Sequence, residues 1–353
     1  MAQIVGAGRG ICVCSDGARR CDIAKRLPGT AHAAELRANP DFIWRTGAFA
    51  PNIDADHEPE NDELIAIAAA VSDGIALRAM TPDDLAAAHA LTDELRWPHR
   101  LADWAQALRH GEGLVAERDG HVIGTGLRWR WDERHATVGL IVVAPACQGR
   151  RVGHRLMSAL LDGLEHSTVL LHATADGRGL YERLGFTRIG EVRQHQGTAQ
   201  PTPPIALREG WRLRPATESD LPRLHTLDAG ARGMARETLI DELFGEADAT
   251  VVLDHDGAAC GFGMLRRFGR GHAIGPVVAP DVAGAKAVIA HLSGLNAGRF
   301  TRIDIDFDSG LAEWLEKLGL LRVDAPTTMV RGAPLAAADD GPRLYAIVTQ
   351  AFG

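Results

Sequence analysis

The chain has 353 residues, of which 46% are hydrophobic and 24% are charged, with a formal net charge of −8. The length suggests two domains, and the composition is typical of a soluble globular protein. The acidic balance disfavours a nucleic-acid-binding protein, and because no run of about 18 apolar residues occurs we expect no membrane span.

Residues 1–72 lack the sustained periodicity of a helix or strand, and we expect a disordered or loosely packed extension. The third glycine of Gly6–Gly10 is misplaced for a dinucleotide-binding loop, which weakens the hypothesis of a nicotinamide-dependent oxidoreductase. The cysteines at 12, 14 and 21 lack partners at zinc-site spacing, so we predict no metal site. The absence of a secretory pattern and the odd cysteine count predict a cytoplasmic location. Whether this segment belongs to the functional protein stays open.

The stretch 73–200 shows the pattern of a mixed α/β domain. Ile75–Ala79 is predicted as a strand, and Thr81, followed by a proline and two acidic residues, predicts a helix start. Asp119-Gly120 predicts a hairpin between two apolar runs. Further elements are predicted as a helix at 99–110, a strand at 136–143, a helix ending near 164, a strand at 169–172, a helix at 177–184 and a strand at 186–192.

The same order of landmarks then repeats after a proline-rich linker at 201–208. The paired segments are Ile75–Asp84 with Trp211–Asp220, Asp119-Gly120 with Asp256-Gly257, Leu140–Pro145 with Ile274–Pro280, and Leu180–Gly185 with Trp314–Gly319. Landmarks repeated in one order indicate an internal duplication. We therefore predict a second copy at 209–331, each copy being a central twisted mixed sheet flanked by helices, and a C-terminal tail at 332–353 without assigned structure.

The segment Val142–Met157 is the most informative part of the sequence. An apolar strand ends, a loop with Gly149 follows, and an amphipathic helix begins close to Gly153. The first amide groups of a helix have no intrahelical partners and carry partial positive charge, so they favour a bound phosphate. Basic side chains add positive potential in an otherwise acidic protein. They are Arg150, Arg151, His154 and Arg155.

This segment resembles the acyl-CoA pyrophosphate loop of the GNAT superfamily of N-acetyltransferases, whose pattern is Gln/Arg-x-x-Gly-x-Gly/Ala. Gln148, Val152 and Gly153 fit the pattern, whereas Arg151 stands at the middle glycine. That departure is compatible with the motif if the backbone at Arg151 keeps a helical φ, since only a positive φ demands glycine. The segment Leu180–Phe186 is similar to the L-Y-x-x-x-G-F segment of the same superfamily, at the spacing that the family shows.

The resemblance implies an enzyme that transfers an acetyl group from acetyl-CoA to a primary amine by direct attack in a ternary complex. By the same analogy, the splayed end of strand 136–143 supplies amide groups to the cofactor, and Tyr181 is the general acid. The acceptor is expected to be a small-molecule or peptide amine. The implied cofactor-binding residues are Ile141, Val142, Val143, Gln148, Gly149, Arg150, Arg151, Val152, Gly153 and His154.

The general base is left open by the sequence. His135 has a suitable ordinary pKa of about 6.5, and Asp132 or Glu133 could act through water. His172 is interpreted as a core or wall residue of the adjacent strand, and Cys147 as a small residue of the loop.

The second copy is predicted to have lost its cofactor chemistry. Ala283 stands at the Gln148 position and Leu315 at the Tyr181 position, while Asp281 places an acid at the helix start, where it would repel a diphosphate. The main alternative to an enzyme is an inactive acyl-CoA-binding regulatory module. The oligomeric state stays open, and a monomer is compatible with a tandem copy that replaces a dimer interface.

Overall fold

The computed structural model describes residues 74–335 and 341–353, so the extension predicted at 1–72 lies outside the described residues. The first copy contains these elements: β1 (Ile75–Ala79), α1 (Leu85–Glu94), α2 (Leu101–Arg109), β2 (Glu112–Arg118), β3 (His121–Arg130), β4 (His135–Val143), α3 (Val152–Leu160), β5 (Thr168–Ala173), α4 (Arg178–Arg183) and β6 (Thr187–Thr198). The order predicted for this copy is confirmed.

The second copy repeats that order up to its last strands. It contains these elements: β7 (Trp211–Pro215), α5 (Leu221–Arg232), α6 (Glu237–Glu246), β8 (Ala249–His255), β9 (Ala258–Phe268), β10 (Gly271–Ala279), α7 (Val282–Leu295), β11 (Phe300–Asp306), α8 (Ala312–Lys317), β12 (Leu321–Asp324), β13 (Thr327–Arg331) and β14 (Arg343–Ala346). β14 lies within the segment that the sequence leaves as a tail without assigned structure.

The entry into the first helix shows why this sequence folds as it does. Thr81 precedes a short 3₁₀ turn at Pro82–Asp84, and the Asp84 carboxylate accepts hydrogen bonds from the Thr81 amide and hydroxyl. Arg78 on β1 donates two further bonds of 2.8 Å to that carboxylate. The predicted start is therefore confirmed, although a 3₁₀ turn intervenes before α1. An acid that satisfies free amides at a helix start stabilises the chain by about 1 kcal/mol.

The strands of the two copies form one continuous sheet with the order β1-β2-β3-β4-β5-β13-β6-β11-β14-β10-β9-β8-β7. β13, from the second copy, pairs with β5 along Thr327–Arg331. β6, from the first copy, pairs with β13 through its first half and with β11 through its second half. Each copy thus contributes a strand to the sheet of the other.

β4 and β5 run parallel but separate after a short stretch of pairing. Their last paired residues are Thr137 and Leu170. Beyond that point β4 has an irregular register against β3, where Leu140 adopts a φ of 53° and its carbonyl accepts a bond from the Thr125 hydroxyl. An extra residue in one strand bends it away from its neighbour. The result is an open wedge between β4 and β5. This agrees with the splayed end that the resemblance implies for strand 136–143.

The corresponding wedge in the second copy is filled by the chain itself. β10 and β11 pair in parallel only along His272–Ile274. Beyond this stretch β14 pairs with β10 through Ala346, Leu344 and Arg343, and Ile305 of β11 also pairs with Ala346. The second copy therefore has no open edge that corresponds to the one between β4 and β5, because β14 occupies it.

Three hydrophobic clusters pack the helices against the sheet and the two copies against each other. One packs α3 and α4 against the first half of the sheet, and another packs α7 and α8 against the second half. The third lies between the copies and combines residues of α1 and α2 with residues of α5 and α6. Phe352 joins this shared cluster, with its ring 5.1 Å from that of Trp129 and 5.9 Å from that of Trp131. The copies thus share buried surface as well as strands.

Among the described helices, none combines the length and the apolar character needed to cross a membrane.

Candidate active site

The loop before α3 is shaped by its backbone. The Gln148 side chain donates a 3.1 Å bond to the carbonyl of Val143, the last residue of β4. Gly149 has a φ of 76°, which glycine adopts without steric cost. Arg151 directly precedes α3 and has φ 60° and ψ 13°, the left-handed conformation.

The condition placed on Arg151 by the sequence is therefore not met. The loop needs a positive φ at this position, and arginine adopts it at a cost of about 1–2 kcal/mol. The positive φ thus explains why the GNAT motif usually has glycine at this position. The loop keeps its shape with arginine there, and the exposed side chain lines the cleft beside α3.

Gly153 lies in the first turn of α3, where a side chain is not excluded by packing. An added Cβ would lie 3.4 Å from Leu180 Cδ2 and 3.8 Å from Val143 Cγ2, which are ordinary contact distances. The absence of a side chain therefore leaves open space next to the free amides at the start of α3. This combination of space and amide donors suits an anionic ligand.

A cleft of about 850 Å³ extends from this loop into the wedge between β4 and β5. Nine of the ten predicted cofactor-binding residues line it, whereas Arg150 is exposed on the same loop and is not part of its wall. Their role as cofactor ligands stays a prediction. The nine are Ile141, Val142, Val143, Gln148, Gly149, Arg151, Val152, Gly153 and His154.

Tyr181 lines the same cleft from α4. Its ring contacts Phe186 edge-on at 6.1 Å between centroids, and 9% of the residue is exposed. Burial raises the pKa of the Tyr181 phenol to about 12, so the hydroxyl keeps its proton at neutral pH. The structure thus brings a phenol that can donate a hydrogen bond to the wedge.

His135 is not brought to this cleft. It is the first residue of β4, at the end of the strand opposite the loop, and it lines a separate cleft with Arg134 and Thr168. Its Nδ1 lies 2.8 Å from the carboxylate of Asp132, which ties both residues to the turn before β4. A strand rises about 3.3 Å per residue, so His135 is roughly 17–20 Å from Leu140 and Ile141 along β4. The same turn keeps Asp132 away from the wedge.

His172, interpreted from the sequence as a core or wall residue, lines the wedge from β5. Two charged residues of the cleft were given no role by the sequence: Arg183 is the last residue of α4, and Asp176 lies just before its start. Arg183 falls inside the Leu180–Phe186 segment, so its place in the cleft could have been predicted from the resemblance of that segment. His172 follows directly after the apolar run of β5, but the sequence could not show on which side of the wedge it lies.

The second copy has no comparable loop. β10 ends at Ala279 and α7 begins at Val282, whereas β4 and α3 are separated by the whole segment 144–151. The Asp281 side chain accepts a 2.7 Å bond from the amide of Gly284, and Arg208 donates to the same carboxylate at 2.6 Å. One amide at this helix start is thus bonded to an acid of the chain, and β14 fills the adjacent wedge.

Comparisons with known proteins agree with this division. Residues 79–186 match the family model described as acetyltransferase (GNAT) family, and residues 224–346 match the model described as acetyltransferase (GNAT) domain. The chain is 27% identical over 225 residues to the uncharacterised N-acetyltransferase YitH of Bacillus subtilis. The aligned region covers 62% of this chain and 77% of YitH.

Solved structures show the same fold at low sequence identity. A proposed acetyltransferase of Pyrococcus horikoshii aligns with a TM-score of 0.66 at 21% identity, over 84% of this chain and all of that one. A tandem GNAT protein from the clavulanic acid biosynthesis pathway aligns with a TM-score of 0.52 at 14% identity, over 74% of this chain and 99% of that one.

The chain belongs to the GNAT superfamily of N-acetyltransferases. Within that superfamily it is a tandem member, with a first copy that has the long loop before α3 and a second, degenerate copy that lacks it.

Proposed function

We propose that the first copy transfers an acetyl group from acetyl-CoA to a primary amine by direct attack in a ternary complex. The observation that carries the proposal is the single cleft in which the loop before α3, the open edge of β4 and Tyr181 meet. A pyrophosphate placed at the loop leaves the pantetheine arm to extend along β4. The thioester then lies in the wedge, within reach of groups from both strands.

Binding rests on the amides of the loop and of α3, supplemented by the positive charge of Arg151 and Arg183. Along β4, backbone N–H groups that find no partner on β5 beyond Thr137 are free to bond the pantetheine arm. One of them, near Ile141 or Val143, would polarise the thioester carbonyl. Preorganised donors of this kind stabilise the oxyanion that forms on attack.

The reaction forms a C–N bond and breaks the C–S bond, so one proton leaves the amine and one reaches the thiolate sulfur. Tyr181 is the proposed donor to the sulfur. The pKa of its phenol, raised to about 12, exceeds the value of about 8.5 for a thiol. The neutral phenol therefore stabilises the departing thiolate by donating a hydrogen bond, and the proton that it passes to the sulfur is replaced from solvent. No acyl-enzyme is needed, and the buried Cys147 stays a residue of the loop.

The test measures thiol release from acetyl-CoA with a panel of primary amines, including amino acids, polyamines and lysine peptides. We expect amine-dependent release by the wild type. Tyr181→Phe should lower kcat by about 100-fold, because a positioned acid contributes at least that factor, with the Kd for acetyl-CoA unchanged. Unchanged kcat in Tyr181→Phe would remove the phenol from the mechanism. Cofactor binding without release to any amine would support a regulatory module instead.

A further inference from the structure

The wedge has two faces, and the side chains of β5 divide between them. Val169, Leu171 and Ala173 belong to the cluster under α3 and α4, which also contains Tyr181. Successive side chains of a strand point to opposite faces. His172 therefore lies on the face away from α3 and α4, while its position beyond the last pairing with β4 keeps it in the wall of the cleft.

The contacts of His172 leave one ring nitrogen available. Nδ1 lies 3.2 Å from the hydroxyl oxygen of Thr328, the residue paired with it across β13. Nε2 is buried and has no hydrogen-bond partner among the described residues, although the residue as a whole is partly exposed. A buried polar atom without a partner is unfavourable, so a ligand group that bonds it gains free energy.

The ring is neutral over the working range of pH. Burial, with a smaller effect of the Arg232 charge, lowers the pKa of His172 to about 3. A neutral imidazole carries its proton on one nitrogen and accepts at the other. If Nδ1 donates to Thr328, Nε2 is an acceptor. Thr328, whose hydroxyl can either donate or accept, comes from β13 of the second copy.

We propose that Nε2 of His172 accepts a hydrogen bond from the acceptor amine and, held by Thr328, orients the nitrogen lone pair toward the thioester. This assignment rests on the acetyl transfer proposed above. The amine approaches from the face of His172, and the thiolate departs on the face of Tyr181. His172 acts as a neutral acceptor that orients the nucleophile, and the amine proton leaves to solvent. The degenerate copy thereby completes the acceptor side of the working site.

Two substitutions separate this role from a structural one. His172→Gln keeps a polar group near the Nε2 position, whereas His172→Asn keeps one only near Nδ1, next to Thr328. With n-butylamine as the acceptor probe, we expect His172→Asn to lower kcat/KM for the amine by about tenfold or more, and His172→Gln to keep most of it. The Kd for acetyl-CoA should match the wild type in both variants.

A second measurement reads the ring directly. In ¹⁵N-labelled protein saturated with CoA, Nε2 of His172 should resonate as an unprotonated nitrogen and shift on titration with n-butylamine. Equal kinetics in the two variants, or an Nε2 that carries the proton and ignores the amine, would overturn the assignment. If the wild type binds n-butylamine at His172 yet transfers no acetyl group, the proposed transfer fails while the amine site stands. If transfer occurs and the ring does not respond, only the amine site fails.

Discussion

Arg151 is held in a backbone conformation that an L-amino acid adopts only at a cost in free energy. Arg151 lies between the loop and α3 and has a φ of 60°, at the position where the GNAT motif usually has glycine. The sequence showed the departure from the motif but not the sign of φ, because the sign depends on how the loop closes onto the helix. The side chain at this position adds charge to the cleft wall while its backbone is strained.

Arg151→Gly should therefore stabilise the protein. Release of the strain, about 1–2 kcal/mol, is partly offset by the greater freedom of glycine in the unfolded chain, which leaves a gain of roughly 0.5–1 kcal/mol. Urea unfolding measures the change. Arg150→Gly is the matched control, since Arg150 lies outside the left-handed region, and it should not stabilise. An equal effect of the two substitutions would mean that strain at position 151 is not the cause.

His135 and His172 show how far residue types alone lead toward a site. Both have the chemistry of a proton acceptor, and the sequence favoured His135 because it stands near the central strand. The structure separates them by topology: β4 begins at His135, far from the wedge, whereas His172 follows the point where β4 and β5 part. The position of the split depends on the bulge at Leu140, which no local sequence pattern marked.

At the scale of elements, the duplication is visible in atomic detail at the helix starts. Arg214, Thr217 and Asp220 repeat the arrangement of Arg78, Thr81 and Asp84, with two Arg-to-Asp bonds of 2.7 and 2.8 Å. Because this unit is local in sequence, its existence could be predicted from the repeated strand–Thr–acid pattern. The bonds from arginine hold the pKa of each aspartate below its ordinary value, to about 2 for Asp84.

These aspartates predict a loss of stability in acid. A carboxyl with a lowered folded pKa contributes stability that is complete above its unfolded pKa, near 3.9, and is lost as the pH falls toward 2. Asp84→Asn should cost about 1 kcal/mol at pH 7, by loss of the helix-start bonds, and should flatten the decline between pH 4 and pH 2. Denaturant unfolding at each pH tests this. Asp83→Asn makes the same charge change at an exposed neighbour; an equally large loss there would contradict the account.

The strands that join the copies could not be read from the sequence. β13 and β14 are short strands of mixed polarity, and the apolar run Leu344–Val348 was left within a tail without assigned structure. Propensity identifies a strand but not its partner, and here the partners are β5 of the other copy and the wedge between β10 and β11. Sequence order therefore predicted the elements of the first copy and the repeated landmarks of the second, whereas the exchange of strands depends on tertiary pairing.

At the scale of the whole molecule, the exchanged strands and the shared cluster predict cooperative unfolding of both copies. Met329 lies on β13, is fully buried and packs in the cluster of the first copy. Ion pairs also cross between copies, as from Arg109 to Glu242 at 2.6 Å. Each copy therefore needs strands of the other copy to cover the edge of its own sheet.

Met329→Ala should lower the free energy of unfolding by about 2–5 kcal/mol and keep a single transition. Leu315→Ala, in the buried cluster under α7 and α8, is the matched control in the second copy and should shift the same transition. Urea unfolding followed by tryptophan fluorescence and by circular dichroism provides the measurement. Two transitions in Met329→Ala, of which only one is shifted from the wild-type midpoint, would show that the copies unfold independently.

Calorimetric titration of acetyl-CoA into the protein tests whether the cleft of the first copy binds this cofactor. Gly153→Glu places a carboxylate in the open space beside the start of α3, where an added Cβ meets no forbidden contact, so the variant should fold. Gly245→Glu makes the same charge change at an exposed position of α6 in the second copy, where an added Cβ has no neighbour within 4 Å.

We predict one site per chain in the wild type and in Gly245→Glu, and no measurable binding in Gly153→Glu. A folded wild type without binding, two sites per chain, or unchanged affinity in Gly153→Glu would contradict the account.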